Sequence, residues 1–205
     1  MSRIQFAGDS QDQYIHLCIG KKMSLYKNKY RVESARMSVW NYGLPASYFV
    51  TICTRDRVNH FGQIENETII LNKAGSIVQE EWLRTPIIRE DMNVSLAEFV
   101  VMPNHFHGII RIGKNKYNSS GVHEIYNPLN PDEHKKFGAQ SKNLGSIIRG
   151  FKSAVSRNIK LLEPDFGWQD RYHDQVITND EHYLNLKYYI LNNPRSWKDD
   201  KFYKA

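Results

Sequence analysis

Two histidines separated by one phenylalanine, His105 and His107, stand in the stretch "EFVVMPNHFHGIIRIG" that runs from Glu98 to Gly113. The run is built like a β-strand, so successive side chains alternate. Both imidazoles then point to one face, about 7 Å apart, while Phe106, Gly108, Ile110 and Ile112 point to the core. Two imidazoles on one rigid strand can each offer a nitrogen to a single divalent cation. They can equally be half-exposed strand histidines, because two ligands do not complete a metal site. Pro103 and Asn104 end the preceding strand and hold the pair at the start of the next. Burial of the apolar face should fix the backbone that carries the histidines, whose own face is not expected to be core.

A second group with chemical capacity lies in "YLNLKYYILNNP", Tyr183 to Pro194. Residues four apart share a helix face, so Tyr189 pairs with Asn193, with Leu186 and His182 above them. Tyr188 aligns instead with Leu184 and Leu191, an apolar stripe suited to packing. Tyr189 is therefore the better candidate for chemistry and Tyr188 for core, although tyrosines at this spacing can equally both be packing residues. Pro194 disfavours helical geometry at Asn193, which is expected just off the last turn.

The elements that must position these groups follow from hydrophobic periodicity. "ASYFVTICT" (46–54) is aromatic and β-branched and reads as a strand. "FGQIENETIILN" reads as a hairpin, and "KAGSIVQEEWLRTP" as a helix stopped by Pro86. "VSLAEFVVM" and "HFHGIIRI" are two strands joined tightly through "PN". A polar insertion at about 114–141 follows. "NLGSIIRGFKSAVSRNIKLLEP" then spaces Leu144, Ile147, Ile148, Phe151, Val155, Ile159 and Leu162 along one helix side. "WQDRYHDQVIT" suggests a strand. The last helix is expected to begin at Thr178, whose spacing to Glu181 fits a capping box. The order is that of an α+β, ferredoxin-like βαββαβ fold. It predicts a four-stranded antiparallel sheet and an additional C-terminal helix carrying the tyrosine.

The 205 residues carry 28 Lys+Arg against 22 Asp+Glu, a net charge of +6 that favours an anionic partner such as nucleic acid. With only Cys18 and Cys53, the chain has neither a disulfide scaffold nor a cysteine zinc cage, and a cytoplasmic location is expected. No run of about 18 apolar residues exists, so no membrane partner is expected.

Several blocks together resemble the REP-associated tyrosine transposases, which belong with the single-tyrosine HUH transposases of small insertion sequences. They are "YRVESARMSVWNYG", "YFVTICTRDRVNHFG", "EFVVMPNHFHGIIRI", "WQDRYHDQVI" and "YYILNNP". They run from about Tyr30 to Pro194 in the family's order, missing only the polar insertion. Residues 1–22 fall outside the resemblance, as either a start-site extension or a disordered tail, leaving 23–205 as a single HUH transposase-like domain. The resemblance implies that His105 and His107 hold a divalent cation, Mg²⁺ with Mn²⁺ as a substitute, and that Asn193 is a third ligand. It implies that Tyr189 attacks single-stranded, hairpin-forming or palindromic DNA. Cleavage and strand transfer would then proceed through a 5′-phosphotyrosine, by exchange of one phosphate ester for another. A domain of the same fold that grips hairpin DNA or RNA without cutting it is the alternative, and either a monomer or a homodimer fits.

Lys142, Arg149, Lys152, Arg157 and Lys160 make the helix after the insertion cationic on the side opposite its apolar residues. That side can track a phosphate backbone or be an ordinary solvated face. Arg31 and Arg36 resemble the family's N-terminal segment and are expected at the foot of the hairpin.

Overall fold

The computed structural model describes residues 40–119 and 141–203, all within the compact unit Ala35–Ala205. The expected extension 1–22, Arg31, Arg36 and most of the 114–141 insertion lie outside the described residues.

Strand β1 (Ala46–Cys53) is the β-branched and aromatic run, and it sits inside the sheet. A two-stranded hairpin follows, β2 (Gly62–Glu65) and β3 (Thr68–Leu71), turned through Asn66 and Glu67 with φ of 47° and 62°. Positive φ at both central residues is what a tight hairpin turn requires. Helix α1 (Lys73–Leu83) starts on Asn72, whose side chain accepts from the Gly75 amide at 3.0 Å. It stops three residues before Pro86, and Pro86 instead opens a single further turn, α2 (Thr85–Ile88).

Strand β4 (Val94–Met102) completes the first βαβ unit and β5 (His105–Ile112) begins the second. Helix α3 (Leu144–Ile159) and strand β6 (His173–Ile177) complete the second. The sheet order is β4-β5-β1-β6, with every neighbouring pair antiparallel. This is the ferredoxin-like βαββαβ arrangement, in which each βαβ unit straddles a strand of the other.

Helix α3 has a capping box, Asn143 Oδ1 accepting from the Ser146 amide at 2.9 Å. Its apolar stripe is buried as the spacing predicts, down to Ile159. Leu162 lies beyond the helix end and is largely exposed, because the chain tightens there into a bond from the Leu162 amide to Ile159 O. β6 begins later than the expected strand; Trp168 makes only an isolated bridge to Thr54.

Helix α4 (Asp180–Asn192) carries the tyrosines. Its cap is Asn179 rather than Thr178: the Asn179 backbone is extended, and its side chain accepts from the His182 amide at 2.8 Å. An Asn at that position satisfies an orphan amide one residue later than the Thr–Glu spacing suggested.

The two faces of the sheet differ. Tyr48, Val50, Ile52, Phe106, Ile110 and Ile112 join Trp82 and the α3 stripe in one large core. The opposite face, under α4, holds a small cluster of Phe49, Ile109 and Ile190. Between Leu96 and Phe99 a β-bulge sets Ala97 and Glu98 against the single Ile109. A bulge re-aims a side chain, and here Glu98 reaches α4. Its carboxylate accepts from Tyr183 Oη at 2.7 Å and pairs with Lys187 Nζ at 2.6 Å. These two bonds fasten the first half of a helix that buries only Ile190.

Candidate active site

His105 and His107 share the α4 face of β5, as the alternation predicts, with ring centroids 4.5 Å apart. Their burial differs from expectation. Both are almost wholly inaccessible, because α4 and the segment after it cover that face. The His105 ring packs on Phe202 and Trp197 at centroid distances of 4.7 and 5.8 Å. The His107 ring stacks on Phe49 at 5.3 Å.

Each imidazole has its Nδ1 engaged, which leaves Nε2 for the site. Asn104 donates from Nδ2 to the carbonyls of Phe202 at 2.9 Å and Arg57 at 3.1 Å. That fixes its amide so that Oδ1 faces His105 Nδ1 at 2.9 Å and accepts from it. His105 is thereby held as the tautomer with a bare Nε2 lone pair. His107 Nδ1 lies 2.8 Å from Thr51 Oγ1. Metal ligation by His107 requires the tautomer in which Nδ1 donates to that hydroxyl. Burial pushes His105 down to about 4 and, with the neighbouring His105, holds His107 well below the ordinary histidine value. Both rings are therefore neutral at pH 7, the form that ligates.

Tyr189 reaches this site and Tyr188 does not. The Tyr189 hydroxyl is 3.3 Å from His107 Nε2 and 3.4 Å from Asp200 Oδ2. Its ring meets Phe49 and His107 edge-on. Burial, and then the Asp200 charge, push its phenol up to about 12. Tyr188 is 70% exposed, and its stripe partners Leu184 and Leu191 are exposed with it. The expectation that this stripe packs is corrected: α4 lays its Tyr183–Leu186–Ile190 side on the sheet and turns the Leu184–Tyr188–Leu191 stripe outward.

Asn193 is the helix C-cap and keeps helical φ and ψ of −55° and −42°, so Pro194 does not displace it from the last turn. It is buried, and its Nδ2 donates to Asp200 Oδ2 at 3.0 Å. Among the described residues, Asn193 Oδ1 and His105 Nε2 are both buried without a hydrogen-bond partner.

Asp200, absent from the sequence-based set, completes the cluster. One ligand atom from each of His105, His107 and Asp200 lies within 4.8 Å of the others. The Phe202 amide donates to Asp200 Oδ1 at 2.6 Å and holds the carboxylate in place. Nothing in the sequence flags it, since it follows a proline and a short turn, with no periodicity tying it to β5. Two imidazoles, a carboxylate and an orphaned amide oxygen form a donor set that fits a divalent cation. His173 is exposed on β6.

The cationic residues are distributed differently. Arg149, Arg157 and Lys160 are exposed on α3, across the sheet from the histidines. Lys142 pairs with Asp91 and lies over the Tyr117 ring. Lys152 donates to the carbonyls of Gln169 and Asp170.

Fold and side chains together define an α+β domain with a buried histidine pair, a carboxylate and a tyrosine on one sheet face. No family model matches the chain. An uncharacterized protein of Haemophilus influenzae is 33% identical over 175 residues, covering 83% of this chain and 92% of that protein. The chain belongs to that protein's family. Among solved structures it is similar to a REP-associated tyrosine transposase bound to a REP hairpin. That likeness has a TM-score of 0.47 and 17% identity, over 85% of this chain and 74% of the other. It is also similar to a candidate transposase from Deinococcus radiodurans R1, with a TM-score of 0.39 and 12% identity over 80% and 96% of the two chains. No described helix is long and apolar enough to cross a membrane.

Proposed function

We propose that this chain cleaves single-stranded, hairpin-forming DNA and transfers the cut strand, with Tyr189 as nucleophile beside a divalent metal. The observation that carries the reading is the Tyr189 hydroxyl, 3.3 Å from His107 Nε2, over two orphaned ligand atoms. The sequence blocks quoted above supply the substrate class.

His105 and His107 would hold the ion through Nε2, with Asp200 and Asn193 as oxygen donors. Mg²⁺ is the ion proposed in the cell. Two imidazoles suit Mn²⁺ better, so Mn²⁺ is expected to support the faster reaction in vitro. Bound there, the cation would polarise the scissile phosphate and neutralise charge that gathers on it.

The remaining work belongs to the chain. Asn104 keeps the His105 ring in the ligating tautomer, and the Thr51 hydroxyl can accept from His107 Nδ1 when that ring ligates. Tyr189, its ring set edge-on to the stacked Phe49 and His107, presents its oxygen to phosphorus. A phenol held near 12 stays protonated at pH 7, so its proton must leave as the ester forms; Asp200 Oδ2 is the oxygen base within reach. The P–O bond to the 3′-oxygen breaks, the released 3′-hydroxyl takes up a proton, and the 5′-phosphate stays on Tyr189. Attack by a second 3′-hydroxyl reverses these events and frees the tyrosine.

The test is incubation with single-stranded oligonucleotides from the palindromes beside the gene, with Mn²⁺ or Mg²⁺, followed by a denaturing gel. A DNA-shifted protein band, absent with chelator and absent in Tyr189→Phe, is expected. Salt-sensitive retention of the same DNA with no band under any metal would identify a binding module instead.

A further inference from the structure

The α4 face of the sheet carries a feature that the tyrosine site does not use. Arg111 stands on the central strand β5 opposite Ser47 of β1 on one side and Ser95 of β4 on the other. Strand alternation puts it on the same face as His105 and His107. An open cavity of about 420 Å³ lies there, lined by these three residues with Ile109, Ile177 and Tyr183. Arg111 is exposed and has no ion-pair partner among the described residues. A guanidinium flanked by two hydroxyls offers a planar fork with a donor on either side, the chemistry that grips a phosphate.

We infer that Arg111, Ser47 and Ser95 form a second subsite that holds a backbone phosphate of the single strand whose scissile phosphate lies at Tyr189. The inference rests on the proposed cleavage reading for its ligand. Arg111 is four residues along the strand from His107, about 13 Å away, so the two sites hold different nucleotides. The ground between them is bare on one side of α4. His173 and Gln175 of β6 are exposed beside Thr51 and Phe49 of β1, an uncovered polar edge running from the histidine pair toward the cavity. Asp180, in the first turn of α4, also lines the cavity and opposes an anion there. It gives the proposal a second, opposite handle.

Fluorescence anisotropy with a labelled oligothymidylate of about 12 nucleotides, long enough to reach across the roughly 13 Å between the two sites, tests this across a salt series. Arg111→Ala is expected to weaken binding about tenfold and to lower the slope of log K against log salt by about 0.7, one phosphate contact on a single strand. Arg111→Lys should retain the slope, and Asp180→Asn should tighten binding. An Arg111→Ala protein with unchanged affinity and slope overturns the subsite, as does a wild-type protein that does not bind the oligomer. Adduct formation at Tyr189 is scored separately. Loss of the Arg111 contribution without any adduct in wild type leaves the subsite standing and sinks cleavage, whereas an adduct with unchanged Arg111→Ala binding does the reverse.

Discussion

On one face of β5, Phe106 meets the Trp82 ring at 4.6 Å and Phe151 at 5.5 Å. On the other, one residue away in either direction, His105 and His107 are just as buried but are held by an amide and a hydroxyl. The first face gains its stability from apolar area and close ring packing. The second buries polar atoms, two of them without partners, and keeps its covering helix with a clamp at one end and the site itself at the other. A single strand thus takes stability from one side and spends polarity on the other, and the apolar side keeps the histidine backbone rigid.

The largest break in this contrast is Phe106→Ala. It removes a ring at the centre of the aromatic core and should cost about 3–5 kcal/mol in a denaturant melt. Should it cost under about 1 kcal/mol, the core does not anchor β5.

Acid separates the faces next. His105 takes a proton near pH 6.5 when unfolded but only near 4 when folded. Between those values only the unfolded chain binds that proton, so stability falls as pH drops through this window. The slope for one histidine is about 1.4 kcal/mol per pH unit, and the downward shift of His107 adds in the same direction. Thermal melts of the metal-free protein at pH 7, 5.5 and 4.5 should show it, and His105→Phe should flatten the slope. An unchanged melting temperature across the range contradicts the buried, neutral pair.

Glu98→Ala cuts the clamp while leaving the large core alone. Loss of two bonds to Tyr183 and Lys187 is expected to cost about 1–2 kcal/mol. Amide hydrogen exchange in α4 should accelerate, with α3 unchanged. Equal acceleration in both helices would mean that α4 is not a separately held element. The smallest effect is expected at Tyr188→Ala, an exposed position, within about 0.5 kcal/mol of wild type and with adduct formation intact.

Sequence periodicity carried the fold a long way where burial is one-sided. The strand alternation of "HFHGIIRI" and the α3 stripe report the large core directly, because those positions are chosen by apolar packing. The same logic failed on α4, where the Leu184–Tyr188–Leu191 stripe is exposed and a more mixed face lies on the sheet. A helix fixed by Glu98 at one end and by the contacts of Tyr189 and Asn193 at the other does not need that stripe inward. The histidine pair, Tyr189 and Asn193 were legible from spacing and resemblance, since they lie on two regular elements. Asp200, Asn104 and Thr51 were not: one lies in an irregular tail, and the others matter only through tautomers that contacts between distant segments decide. The β4 bulge that aims Glu98 was equally hidden, because "SLAEF" carries no sign of where its register slips.

The central claim is that Tyr189, and not its neighbour, becomes joined to DNA at the metal site. Trypsin cuts after Lys187 and Arg195, so both tyrosines fall in one peptide, "YYILNNPR". Fragmentation of that peptide after incubation with palindromic single-stranded DNA and Mn²⁺, followed by nuclease digestion, locates the residual 5′-phosphonucleotide. The account predicts the added mass on Tyr189 alone, lost on chelation. Mass on Tyr188, or an unmodified peptide from protein that has cut its DNA, would contradict it.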